Sequence, residues 1–115
     1  MSAYLYLDRP EDDVADVVVW EPSKGLLGWV LSFLADHVED EEMAAQFKQR
    51  SNKSVSIVAL SSYTDDQVRD IVRVIRELVP AGAEAAFPPP DEYGGAEALR
   101  ELVDMVTKWG QAKGF

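Results

Sequence analysis

Near the N-terminus the apolar residues of this chain alternate with polar ones, and further along they fall into helical stripes. In "AYLYLD", Tyr4 and Tyr6 alternate with Leu5 and Leu7, and "VADVVVW", ending at Trp20, is rich in β-branched residues. Both runs predict strands. The "RPEDD" between them is turn material, so the pair reads as a hairpin. Pro22 and Ser23 then open a helix with Ser23 as N-cap, and Gly28 is placed to let another element approach closely. A second helix is expected over 41–50. "SVSIVAL" is the strongest strand signal: Val55, Ile57 and Ala59 share one side, while Val58 and Leu60 make its second half apolar on both faces, which predicts a central position.

The stripe Val68, Ile71, Val72, Ile75, Leu78, Val79 follows the 3.6-residue period behind a Thr64-x-x-Gln67 capping box, and Pro80 is expected to stop it. "AEAAF" then reads as a short strand returning to the sheet, which would make the preceding helix the crossover of a right-handed βαβ unit. "PPPDEYGG" is a loop. A last helix is expected over 96–109, with Leu99, Leu102, Val103 and Val106 on one stripe and Gly110 ending it. No repeat, low-complexity tract or linker interrupts the pattern. The expected fold is a single α+β domain over 1–115: a small mixed sheet, made of the N-terminal hairpin plus a central strand, packed against about four helices.

Composition adds limits. A chain of 115 residues, 47% hydrophobic and 28% charged, is long enough to bury a real core. It has no cysteine, so no disulfide, zinc-thiolate site or thiol nucleophile is available. That absence fits a reducing compartment, and "MSAYLYLDRPEDD" turns acidic at once where a signal peptide would be basic and then apolar. The expected location is the cytoplasm. The greasiest stretch, Gly25 to Ala35, would rise about 1.5 Å per residue as a helix and reach about half of a bilayer's hydrocarbon core. It predicts a buried or interface helix, with no membrane contact.

Candidate chemistry centres on the end of that helix. Asp36 and His37 are followed by Glu39, Asp40, Glu41 and Glu42. On an unbroken helix His37 and Glu41 would lie one turn apart, but the cluster matches neither the EF-hand loop nor H-E-x-x-H, and Asp40 to Glu42 are where a helix start favours negative charge. No metal site is expected. Ser61 and Ser62 lie between a strand and a helix but lack G-x-S-x-G, and "SKGLLG" lacks the end of a phosphate-binding loop. No catalytic residue and no cofactor are assigned. Arg69, Arg73 and Arg76 have Asp65, Asp66, Asp70 and Glu77 within pairing distance and predict a solvated ion-pair face.

Charge is distributed unevenly. Residues 1–42 hold eleven acids against Arg9 and Lys24, whereas the remaining 73 residues hold ten acids and nine bases, so nearly all of the net charge of −10 belongs to the N-terminal third. Such a field steers basic partners and repels nucleic acid. The expected function is therefore non-enzymatic binding of a basic protein, with Asp12, Asp13, Glu39, Asp40, Glu41 and Glu42 as partner-binding residues and Trp20 and Trp29 as candidate interface aromatics. In size, charge and style the chain resembles the small acidic immunity proteins that bacteria make against their own secreted nuclease toxins. That resemblance implies a cationic cleft blocked by carboxylates. The alternative is a small acidic secretion chaperone, a homodimer with Leu26 to Leu34 as its dimer face; a third is an enzyme or ligand-binding domain without a recognisable motif.

Overall fold

The computed structural model describes residues 3–7, 18–53, 55–91 and 94–115. Within these, the strands are β1 (Tyr4–Tyr6), β2 (Val19–Trp20) and β3 (Ile57–Ala59), and the helices are α1 (Lys24–His37), α2 (Glu41–Asn52), α3 (Asp65–Glu77), α4 (Val79–Ala86) and α5 (Gly95–Lys113). The fold is α+β, as expected: a three-stranded mixed sheet in the order β2-β1-β3 with its helices. β1 pairs antiparallel with β2 through Leu5↔Trp20 and Tyr6↔Val19, which is the hairpin pairing. The expected turn residues, with Asp12 and Asp13, lie outside the described residues.

β1, and not β3, is the middle strand. β3 runs parallel to it in the register Tyr4↔Ile57, Leu5↔Val58, Tyr6↔Ala59. Two-sided apolarity misled because Leu60 leaves the strand: it is buried in a 3-10 turn, Leu60–Ser62, while Ile57 is 60% exposed. Leu5, Trp20 and Val58 supply the inner face of the sheet, and the Trp20 indole N–H donates to the Ala98 carbonyl of α5 at 3.1 Å.

α1 begins where expected. The Ser23 hydroxyl accepts from the Leu26 backbone N–H, and Leu27, Val30, Leu31 and Leu34 are buried. Of the run Leu26 to Leu34, Leu27, Val30, Leu31 and Leu34 are therefore core within one chain, while Leu26, Trp29 and Phe33 are only partly buried. α2 lies alongside α1, and a Cβ on Gly28 would stand 3.9 Å from the Ser51 carbonyl oxygen, an ordinary contact distance. α3 buries Val68, Ile71, Val72, Val74 and Ile75 behind the capping box, both halves of which form.

The C-terminal third departs from the sequence reading. α3 does end ahead of Pro80, at Glu77, but the chain does not leave the helical path: Leu78 is shared as the end of α3 and the start of α4, and Pro80 sits in the first turn of α4, where its missing N–H costs no bond. "AEAAF" is accordingly helix up to Ala86, as its alanines favour, and there is no βαβ crossover through α3. Gly110 does not end α5 but is buried within it; Gly114, at φ 83°, takes the left-handed conformation that closes the helix. Buried side chains of the strands and helices join in one hydrophobic cluster. Among the described residues no helix is long and apolar enough to cross a membrane.

Candidate functional site

α1 stops at His37 because Val38, at φ −70° and ψ 149°, turns extended. The break separates His37 from Glu41, so the two do not share a helix face. His37 instead stacks on Phe33, with centroids 4.1 Å apart, and its Nδ1 donates to the Phe33 carbonyl at 2.8 Å. It closes an aromatic ladder at i, i+4 and i+8, Trp29–Phe33–His37, in which Trp29 and Phe33 are 5.1 Å apart. Among the described residues no three His, Asp or Glu side chains could hold a metal ion together.

Three residues after His37 the chain restarts as α2, and Asp40 makes the start. Its carboxylate accepts from the Met43 backbone N–H at 3.0 Å and from Gln67 Nε2 at 3.2 Å. Gln67 is also the capping-box residue of α3, so the first turns of α2 and α3 are tied to each other. A second tie is the Glu39 backbone N–H, which donates to Asp70 Oδ2 at 2.8 Å, and the other Asp70 oxygen takes Arg73 at 2.8 Å. The Met43 N–H, followed by the Gln67 amide, holds the Asp40 carboxyl below the usual carboxylate range, because both donate to its charged form.

Two helix starts carrying acids in their first turns thus converge. Glu41 and Glu42 belong to α2, and Asp65 and Asp66 to α3. Between them lies an open groove of about 390 Å³ lined by Glu39, Asp40, Thr64, Asp66, Gln67 and Asp70. The ion-pair face expected on α3 is present: Arg69–Asp66 at 3.2 Å, Arg73–Asp70 at 2.8 Å and Arg76–Glu77 at 3.7 Å. The Asp66 and Asp70 pairs neutralise part of the groove's lining, while Glu39, Glu41 and Glu42 are exposed. Asp40 and Asp70 are occupied as structural acceptors. Sequence reasoning missed Asp66 as a groove residue. Its signal was present in the capping box that fixes the first turn of α3, but nothing local said that α2 would start beside it.

The two candidate tryptophans have other places. Trp20 is buried, with its N–H satisfied by α5, and so belongs to the core; Trp29 is half-buried between Phe33 and Phe87. Ser61 and Ser62 form the 3-10 turn ahead of α3. A separate, mainly apolar groove of about 330 Å³ runs between α4 and α5, with Val79, Pro80, Ala83, Leu99 and Val103 in its walls. Of its polar groups, the Thr107 hydroxyl already donates to the Val103 carbonyl and Asp104 already pairs with Lys108 at 3.0 Å. No family model, curated protein or solved structure matches this chain.

Proposed function

We propose that the protein is a non-enzymatic binding protein whose acidic surface at the joined starts of α2 and α3 covers a basic protein partner. The observation that carries this reading is the convergence itself. Glu39 and Asp40 from one stretch and Asp66 and Asp70 from another, 26 or more positions later, line one groove where Gln67 bridges to Asp40, and Glu41, Glu42 and Asp65 stand in the first turns of the two helices that meet there. A field made from two segments is stronger than either alone, and at exposed sites its reach is set by a Debye length of about 8 Å at physiological salt. It therefore acts mainly on encounter rate and on choice of partner.

β1 and β3 are parallel, so the chain leaves both at one end of the sheet. From β3 it reaches Thr64, the cap of α3, in five residues. At that same end the Leu7 backbone N–H donates to the Val18 carbonyl at 3.0 Å; Asp8, Glu11, Asp12, Asp13 and Asp16, between them in the sequence, lie outside the described residues. The most specific form of the reading is an immunity protein that blocks the cationic cleft of a nuclease-like toxin.

The test is capture from the source lysate at low and at high salt, followed by a nucleic-acid cleavage assay on what is captured. A basic protein retained at low salt, released at high salt, and inhibited by stoichiometric addition of this chain is the expected result. Capture of acidic or neutral proteins regardless of salt would overturn the reading.

A further inference from the structure

The sheet has a second face that the core does not use. Directly paired residues in neighbouring strands share a face. The registers Tyr4↔Ile57, Tyr6↔Ala59 and Tyr6↔Val19 therefore put these five side chains together, opposite buried Leu5, Trp20 and Val58. Tyr4 and Tyr6 are half-buried and stacked with centroids 6.2 Å apart, and Ile57 beside Tyr4 is exposed over 60% of its surface. Among the described residues Ile57 is the large hydrophobic residue left in the open. Tyrosines flanked by an aliphatic side chain on a rigid sheet have the composition of an interface centre, and ordinary protein surface is rarely so aromatic.

We infer that this outer face, Tyr4, Tyr6 and Ile57 flanked by Val19 and Ala59, is the aromatic half of the partner interface and receives an arginine-rich segment of a basic protein. The inference rests on the proposed function and extends it from charge to a specific side-chain chemistry. Charge selects the occupant. A second copy would bring another net charge of −10 against the first, whereas a basic chain is attracted. Continuity supports the same choice: Ala59, on this face, is five residues from Thr64 at the acidic groove, a span of at most about 18 Å, so one partner segment can touch both. Arginine suits the face better than lysine, because its planar, weakly hydrated guanidinium stacks on tyrosine rings.

The experiment uses the intact protein and two capped probes, hexa-arginine and hexa-lysine. It reads the isoleucine δ1 methyls, the Tyr4 and Tyr6 rings and the backbone amides of Glu39, Glu42 and Asp66 by NMR. Ile71 and Ile75, both buried, serve as internal controls. Hexa-arginine is expected to shift Ile57, both rings and the groove amides with one shared affinity, about two- to fivefold tighter than hexa-lysine. The pair Tyr4→Leu and Tyr6→Leu should weaken hexa-arginine by about two- to fivefold and hexa-lysine by less, so that the preference disappears. Groove amides that move while Ile57 and the rings stay still would overturn the inference and leave the acidic reading standing. If no resonance moves with either probe, both fall. Ile57 shifts that depend on protein concentration without any peptide would give the face to a second copy and overturn the inference.

Discussion

At the scale of single residues, Asp40 shows how a candidate contact is also a structural part. It caps α2 and receives Gln67 from α3, so Asp40→Ala should lower stability, whereas Asp40→Asn, which keeps one acceptor, should lower it less. The folded state holds this carboxyl below the usual range, so the stability it contributes is present at neutral pH and is lost as pH falls below about 4. Denaturation midpoints measured between pH 7 and pH 3 should accordingly fall less steeply in Asp40→Asn than in the natural chain. Tyr63 presents the opposite case. Its hydroxyl is buried without a partner among the described residues, and burial pushes its pKa up against the opposing pull of Arg50. Tyr63→Phe should therefore be neutral or stabilising by up to about 1 kcal/mol in urea unfolding, and should flatten any loss of stability above about pH 10. The caps at Ser23, Asp40 and Thr64 were legible in the sequence because a cap is a local hydrogen bond between residues three apart. The Asp40–Gln67 bridge was not, since it joins residues 27 positions apart.

Elements were legible where a single periodicity decided them. α1, α2 and α3 start where their caps predict, and the hairpin pairing of β1 with β2 follows from its alternation. The misreadings share a cause: a residue type with two local meanings. Pro80 both stops and starts helices, Gly110 can close a helix or lie in a tight contact, and Leu60 can extend a strand or fill the turn after it. Gly82 in α4 shows how packing settles such ambiguity. A Cβ there would stand 2.5 Å from Phe33 Cε2, and Phe33 is held between Trp29 and His37. Helix propensity alone favours Gly82→Ala by about 1 kcal/mol, but overpacking costs about 1–3 kcal/mol. The net effect should be a loss of up to about 2 kcal/mol, measured by chemical denaturation. Adding Phe33→Leu should make the Gly82→Ala step favourable within that background, because the clash is then gone.

Over the whole molecule the uneven charge was visible in the sequence, but its arrangement was not. Glu39 and Asp40 share a groove with Asp66 and Asp70 because two capped helix starts are tied together. The central claim is that this surface attracts a basic partner. Its most direct test is the association rate of the captured partner across ionic strength, for the natural chain and for the doubly reversed Glu39→Lys, Glu42→Lys variant, neither of whose carboxylates caps a helix. The account predicts association at least about tenfold slower for the variant at low salt, with a shallower dependence on salt and a nearly unchanged dissociation rate. Equal rates and equal salt slopes for the two proteins would contradict it.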